Sequence, residues 1–551
     1  MNKPLVILTN LLAAIAPYFT FMEYHDYPYL SLEATVYFLC FAGVGLGLGV
    51  LAANVSPRRA VIITAIVLFF SYDFQFNNSL SSNIIVVFYM VLIVFLLRKL
   101  KTNGYKICCA ALVAFILSTL VVGVEDVSSD VRFAAKASQY AKGGNKPVIV
   151  HIVLDEHIGL NGVPPNQPGG KKFIRAIRSS YEKLDYTLFE NAYSEHSYTR
   201  FSLALAFNNV AEIQQELQLN KNAAQWMSRH FMLAKNSYLK EMSKRGYRIF
   251  IRQSSYLNFC AAQDVTYTRC QTYDFGKLQG VAKTDLSLGS KMLLFASFHI
   301  QNTRTRINLI TLVRGLEISW SFLFKDGDKS HQPNWVGKLV SWERPLIGAL
   351  SHANALDQLG DAVVKAEPGD LYFAHLLQPH FPYVYNADCQ VRPVSQWIHR
   401  GTNIGYNRND QDLRNRIYSG YFSHTLCVNQ KIKNFTERLK KAGVLDNTVI
   451  VVHGDHGSRI LVNELQPDEY NDPVAHREAH STLFAVRIPG KQAPNRKHAA
   501  SISAILWELI DNGFSTIPPD TSRGALSILV PNAKLQKYTR IKYLGEKLTG
   551  E

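Results

Sequence analysis

The chain is 551 residues long, with 47% hydrophobic residues, 19% charged residues and a formal net charge of +16. That length exceeds an ordinary single domain and suits two, and it excludes a disulfide-stapled miniprotein. A mean hydropathy near zero describes the chain only on average, because the apolar residues crowd into the first 124 positions.

That stretch holds the basic residues Lys3, Arg58, Arg59, Arg98, Lys99, Lys101 and Lys106 against the acids Glu23, Asp26, Glu33 and Asp73, so almost all of the net positive charge lies beyond it. Such a charge suits anionic partners such as membrane headgroups, phosphates or acidic glycans, and equally serves solubility alone.

In chain order, five segments approach the roughly 20 apolar residues of a spanning helix: Pro4 to Met22, Leu32 to Ala53, Ala60 to Tyr72, Ile84 to Leu97 and Ile107 to Val124. Basic residues follow the second (Arg58, Arg59) and the fourth (Arg98, Lys99, Lys101, Lys106), while the loops after the first and third carry Glu23, Asp26 and Asp73. The positive-inside rule therefore puts the basic loops in the cytoplasm. With an odd number of spans and a cytoplasmic N-terminus, everything beyond Glu125-Asp126 is exported. No convincing small-residue cleavage site follows the first segment, which reads as a span rather than a removable signal peptide. The expected organisation is a transmembrane domain over 1–124, a juxtamembrane linker over 125–146 and an exported domain over 147–551.

Cys40, Cys108 and Cys109 fall in the spans, and Cys260, Cys270, Cys389 and Cys427 fall in the exported part. Four cysteines in an oxidising compartment predict two disulfides. Cys260 and Cys270 enclose a polar loop and form the first expected pair, leaving Cys389 with Cys427, although three connectivities are open. No CxxC occurs, which argues against a thiolate zinc site.

Beyond the linker, Val148 to Leu154 (VIVHIVL) is a short β-branched run of the kind buried on both faces of a parallel sheet, and it ends in Asp155-Glu156-His157. Ligands of open α/β sheets bind beyond the carboxyl ends of strands, so acids placed there are site candidates, with a turn or helix cap as the bland alternative. Asn191 to Asn208 (NAYSEHSYTRFSLALAFN) sets a Ser/Thr-rich turn before an apolar helical run. Ser194, Ser197, Thr199 and Ser202 are nucleophile candidates there, or simple N-caps. A further strand, Gly369 to Leu377, runs into Gln378-Pro379-His380-Phe381-Pro382. Val428, Ile432, Phe435, Leu439 and Ala442 recur at helical spacing, with Gly443 as the stop. The strand Thr448 to His453 follows, and then Gly454-Asp455-His456-Gly457-Ser458-Arg459. A carboxylate and an imidazole delivered to one strand end suit zinc or manganese. The last strand, Ser481 to Ile488, follows His476 and His480.

Together these residues resemble the alkaline phosphatase superfamily, more narrowly its sulfatase-like branch of membrane-anchored phosphoethanolamine and phosphoglycerol transferases. The resemblance covers roughly residues 147 to 490, and its most specific piece is Tyr418 to Arg459, ending in VIVVHGDHGSR. VIVHIVLDEH, LLQPHFPYVY and HSTLFAVRIPG carry the rest. The implied fold is an N-terminal all-α transmembrane bundle of five helices followed by an α/β alkaline-phosphatase-like domain, its central, mainly parallel sheet lying between helices.

Carried over by position, the resemblance implies that Asp155, Asp455 and His456 hold one divalent metal, zinc or alternatively manganese, with Glu156 a further ligand and Thr199 at the metal. It implies Thr199 as the nucleophile with Ser197 the alternative. His380 and His480 would bind phosphate or move protons, with His476 and Arg459 on the substrate side. The chain departs from the family where Leu154-Asp155-Glu156 replaces Gly-Glu-Thr. The Cys-x-Pro-x-Arg setting of sulfatases is absent, since the segment 191–208 contains neither Cys nor Pro.

The expected function is metal-dependent transfer of a phospholipid headgroup, phosphoethanolamine or phosphoglycerol, to a glycan or glycolipid such as lipopolysaccharide, through a covalent phospho-enzyme. The alternatives are a phosphodiester or sulfate-ester hydrolase, and a non-catalytic membrane binding protein. The implied partners are a membrane phospholipid donor and a glycan acceptor, with no nucleic acid. The implied state is a monomer in the bacterial inner membrane with its catalytic domain in the periplasm.

Overall fold

The computed structural model describes residues 2–76, 83–122, 146–208, 233, 235–300, 347–398, 411–461 and 473–520, together with the backbone of three strands between 526 and 550. The chain divides into two compact units, Met1–Val127 with Lys277–Leu346, and Ser128–Gly276 with Ile347–Glu551. This division departs from the expected one, because the segment Lys277–Leu346 leaves the stretch 147–551 and groups with the N-terminal helices. The expected linker over 125–146 lies outside the described residues except for its last position.

In the first unit, helices occupy Lys3–Tyr24, Leu32–Asn54, Pro57–Phe76, Asn83–Leu100 and Thr102–Val122. Lys3–Tyr24 packs against the second, third and fifth of these. Among the described residues three helices, Lys3–Tyr24, Leu32–Asn54 and Thr102–Val121, are long and apolar enough to cross a membrane. Many of their large apolar side chains, Leu39, Val44, Leu46 and Leu117 among them, point out of the unit. A further apolar helix, Leu288–Ile300, packs on Leu32–Asn54.

The second unit is built on a seven-stranded sheet. Its strands are β1 (Val148–Leu154), β2 (Thr187–Leu188), β4 (Arg248–Ser254), β5 (Arg269–Tyr273), β6 (Asp370–Leu376), β7 (Thr448–Gly454) and β8 (Phe484–Arg487), in the order β2-β8-β7-β1-β6-β4-β5. A two-stranded pair joins β3 (Ala192–Tyr193) to β9 (Ala500–Ser501), and an antiparallel sheet joins β10 (Leu526–Pro531), β11 (Tyr538–Leu544) and β12 (Lys547–Gly550). From β7 to β5 all neighbours of the large sheet are parallel, while β8 and β2 are antiparallel additions at the edge.

Every residue of β1, β6 and β7 is buried, which is why these strands read as continuous apolar runs. Their alternate residues feed two cores, one on each face: Ile149, Val153, Phe373 and Val451 on one side, Val150, Ile152, Ala374 and Val452 on the other. The long helix Gln411–Lys441 presents Ile417, Tyr421, Val428, Ile432, Phe435 and Leu439 to the second core. It is followed by Gly443 at φ +74°, a left-handed stop of the kind the sequence predicts. Both expected disulfides are present, Cys260–Cys270 and Cys389–Cys427.

Candidate active site

Asp155 and Asp455 follow the carboxyl ends of β1 and β7, whose register pairs Leu154 with Gly454. The sheet alone therefore sets the two carboxylates side by side. β8 runs antiparallel to β7 with Phe484 opposite His453, so the residues that precede β8 lie at the same end of the sheet. This explains how His480, upstream of its strand, reaches the region where Asp155 and Asp455 lie downstream of theirs. The Gly457 N–H donates to the Ala479 carbonyl at 2.9 Å and the Gly454 N–H to the Leu483 carbonyl at 2.9 Å. A Cβ at Gly457 would overlap the Glu478 carbonyl, so the close approach of the two loops requires glycine there.

Asp155, Asp455 and His456 are buried and each offers a ligand atom, all within 4.8 Å of one another. His456 Nε2 lies 3.2 Å from Asp455 Oδ2 and 4.0 Å from Asp155 Oδ1. His456 Nδ1 donates to the Gly457 carbonyl at 2.8 Å, which leaves the Nε2 lone pair facing the carboxylates. Asp155 Oδ1 and Asp455 Oδ2 are buried with no hydrogen-bond partner among the described residues. Burial, then the Asp455 and Glu156 carboxylates, holds Asp155 well above the ordinary carboxylate range, and burial brings Asp455 up to about 7. Burial keeps His456 well below its usual value and hence neutral. Three converging acceptors in a dry site are the donor set of a divalent cation, and this oxygen and nitrogen chemistry fits zinc or manganese.

Thr199 opens the helix Thr199–Phe207. Its Oγ1 is 3.3 Å from His456 Nε2 and 3.5 Å from Asp155 Oδ2, at the positive end of the helix dipole. Ser202 Oγ donates to the Asp455 carbonyl and Ser194 Oγ to the His196 carbonyl, at 2.8 Å for the latter. Ser197 is buried in the turn before the helix. Of these four hydroxyls, Thr199 is the one bonded to the side chains of the cluster.

Glu156, expected as a further ligand, is directed elsewhere. Arg459 Nη2 donates to its Oε1, and His380 Nε2 lies 3.7 Å from the same oxygen. The group of Asp155, Asp455 and His456 forms without it. Glu156 and Arg459 both hold positive φ, 61° and 53°, a strain of about 1–3 kcal/mol each for residues with side chains. Several hydrogen bonds hold the Glu156 turn in place. Its N–H donates to Asp455 Oδ1 at 2.9 Å, and its carbonyl accepts from Tyr421 Oη at 2.6 Å. Burial opposes the Arg459 charge, but Glu156 beside it raises the guanidinium above its ordinary value. The guanidinium also sits 4.9 Å over the Tyr198 ring.

His380 lies between two cis prolyl peptides and is part-exposed, its Nδ1 donating to the Phe381 carbonyl at 2.8 Å. His480 donates from Nδ1 to the Ser194 carbonyl at 3.0 Å, its Nε2 has no hydrogen-bond partner among the described residues, and burial lowers it to about 3. His476 is buried in the same helix, Pro473–His480, its ring 6.3 Å from that of His480.

Two residues in contact with the site escape the sequence reading. His375 on β6 is fully buried, with Nε2 3.9 Å from Asp155 Oδ2 and neither ring nitrogen hydrogen-bonded among the described residues. An imidazole inside the apolar run LYFAHLL was the available signal. Glu478 accepts from Tyr418 Oη at 2.8 Å, from Ser458 Oγ, and from the Ile460 and Leu461 N–H groups at 2.8 Å each. It thus fixes the loop that carries Asp455, His456 and Arg459.

The sulfatase family model matches residues 147–507, which span the whole of this site. The chain belongs to the sulfatase family. A curated relative, an endo-4-O-sulfatase of Bacteroides thetaiotaomicron, is 28% identical over 119 residues, 21% of this chain and 23% of that protein. The match thus spans less than a quarter of the curated relative. Similar solved structures include the zinc complex of the C-terminal periplasmic domain of EptC from Escherichia coli (12% identity, TM-score 0.39, covering 77% of this chain and 95% of that one). They also include a phosphonate monoester hydrolase of Agrobacterium radiobacter (12%, 0.43, 72% and 86%) and the lipoteichoic acid synthase LtaP of Listeria monocytogenes (12%, 0.37, 76% and 86%). In this sulfatase-family chain the helix that meets the Asp155, Asp455 and His456 cluster opens with the sequence Tyr198-Thr199-Arg200.

Proposed function

We propose that this chain transfers a phospholipid headgroup, phosphoethanolamine or alternatively phosphoglycerol, to a hydroxyl or phosphate of a glycan or glycolipid. The single observation that carries the reading is the Thr199 hydroxyl lodged against His456 and Asp155 at a helix N-terminus, in a chain whose first unit carries helices able to cross a membrane. A donor that lies in the bilayer gives such an anchor a purpose. The chain would sit in the bacterial inner membrane as a multi-pass monomer, its catalytic unit in the periplasm.

Asp155, Asp455 and His456 would hold one divalent cation, zinc or alternatively manganese. That ion would supply positive charge that favours the ionised hydroxyl and offsets charge on the phosphoryl oxygens. In the first step the Thr199 hydroxyl gives up its proton and Oγ1 bonds to phosphorus, while the bond to the diacylglycerol oxygen breaks and that oxygen takes up a proton in exchange. In the second, an acceptor oxygen bonds to phosphorus, the bond to Thr199 Oγ1 breaks, and the acceptor's proton is taken up. His380, part-exposed at the site, is placed to hold the anion or move these protons. His480, neutral at Nε2, can act only as an acceptor there. Arg459, locked onto Glu156, provides a fixed positive charge.

The test is peptide-level mass spectrometry of residues 191–208 on protein purified from its membrane. A phosphoethanolamine or phosphoglycerol mass on Thr199 supports the reading. An unmodified peptide together with water-dependent ester cleavage makes the chain a hydrolase.

A further inference from the structure

The helix Leu288–Ile300 carries its ionisable residues, Lys291 and His299, on the wrong side for a water-facing element. Lys291, Ser297 and His299 are on its buried face together with Leu294, Phe295 and Phe298. The other face is formed by Leu288, Gly289, Ser290, Met292, Leu293, Ala296 and Ile300, all exposed or part-exposed, none of them charged and Ser290 alone polar. Leu288 and Leu293 are 38% and 46% exposed. A helix on a protein surface in water shows the reverse pattern, with charges outward.

The buried face is tied to the N-terminal helices by specific contacts within the first unit. Lys291 Nζ pairs with Glu33 Oε1 at 3.0 Å, and Tyr27 Oη donates to the same oxygen at 2.6 Å. His299 stacks on Phe21 with ring centroids 4.6 Å apart and shares a hydrogen bond of 2.8 Å with Tyr37 Oη. Phe295 packs against Phe21, Tyr27 and Tyr37. Just upstream, Lys277 Nζ pairs with Asp26 Oδ2 at 2.6 Å. The helix therefore lies against Lys3–Tyr24 and Leu32–Asn54, both able to cross a membrane. It does so at the end of the bundle where Tyr18, Phe19, Tyr24, Tyr29 and Phe38 gather, as aromatic side chains do at a membrane interface.

We infer that Leu288–Ile300 is embedded in the lipid of the outer leaflet, with its outward apolar face against acyl chains. At 13 residues it is about 20 Å long, too short for the roughly 30 Å hydrocarbon core. It enters the leaflet without crossing it. The partner surface is the bilayer itself: the face has no charge to offer a protein or a headgroup, and it continues the exposed apolar surface of the helices it lies on. The inference rests on the reading of those helices as membrane spans.

The experiment uses the full chain in lipid nanodiscs, with Cys40, Cys108 and Cys109 replaced by Ala and an environment-sensitive fluorophore at Leu293→Cys. Leu46→Cys, on the lipid-directed side of Leu32–Asn54, and Lys441→Cys, on the surface of the catalytic unit, are the controls. Emission at position 293 is expected to be blue-shifted, quenched by nitroxide-labelled lipid and insensitive to aqueous iodide, as at position 46 and unlike position 441. Iodide quenching at 293 with lipid quenching retained at 46 overturns the proposal. So does the absence of both quenching effects at 293, which means that protein covers the face. Iodide quenching at 46 as well overturns the membrane reading beneath it.

Discussion

At the scale of single residues, the site is organised by where each imidazole spends its Nδ1 proton. His380 and His456 give it to the next carbonyl in the chain, and His480 gives it to Ser194. His456 and His480, which burial keeps neutral, are thereby turned to present Nε2 as a lone pair. For His456 that lone pair, with the unpaired Asp155 and Asp455 oxygens, defines where a cation would be bound. Asp155→Asn and Asp455→Asn are each expected to remove most of the bound metal, as read by elemental analysis of protein purified without chelator, while the circular dichroism spectrum is retained. Thr199→Ala is expected to lower headgroup transfer by about 10³-fold or more, as loss of a nucleophile does, with an unchanged melting temperature. Transfer at the parent rate would assign the nucleophile to another group. The partnership of Glu156 with Arg459 was not legible in the sequence, because 303 positions separate them and the choice between cation and guanidinium is made by a left-handed turn.

At the scale of elements, the legible parts are those whose sequence pattern has one structural solution. VIVHIVL and TVIVVH are apolar on both faces and are parallel interior strands. The helix ahead of the second repeats at its own spacing and ends where Gly443 allows. The segment STLFAVRI is just as readable as a strand, but an apolar run looks the same in either direction. Only the pairing of Phe484 with His453 reveals that it is antiparallel. The helix Leu288–Ile300 was not legible as part of the first unit, since a 13-residue apolar helix also fits a soluble core. The disulfides are elements of a different kind, and their sequence separations are 10 and 38. Loop-closure entropy makes the longer loop worth about 4 kcal/mol and the shorter about 3 kcal/mol. Replacing Cys389 and Cys427 by Ser is therefore expected to lower the thermal midpoint further than replacing Cys260 and Cys270.

At the scale of the whole molecule, buried neutral histidines make stability depend on pH. His157 accepts from Asn429 at Nε2, and His424 accepts from the Val384 and Tyr385 N–H groups at Nδ1, so protonation removes bonds that both need. Burial lowers His157 to about 4 and His424 and His480 to about 3, against an ordinary value of 6.5. Their folded values lie below the unfolded one, so between these limits the unfolded chain binds more protons. The stability these rings contribute is complete above about pH 6.5 and is lost as pH falls toward 3. Buried carboxyls such as Asp455, Glu195 and Glu478, which burial raises, work in the opposite sense. From pH 7.5 to about 4 the melting temperature is therefore expected to fall more steeply in the parent than in a His424→Asn variant, and identical slopes would mean that this ring is not neutral in the folded protein.

The segment that departs after β5 and returns before β6 also governs how the protein can be divided. A truncation that begins at residue 147 keeps Lys291, Phe295 and His299 but discards Glu33, Phe21 and Tyr37, the groups that neutralise and cover them. Such a fragment carries an orphaned ammonium beside an aromatic surface and is expected to require detergent, eluting as aggregate in size-exclusion chromatography. Exchanging Lys277–Leu346 for a flexible polar linker is expected to restore a monodisperse catalytic unit that still retains metal. The boundary useful to the experimenter is thus a pair of cuts inside the sheet-forming sequence, and a single cut ahead of it leaves a piece of the first unit behind.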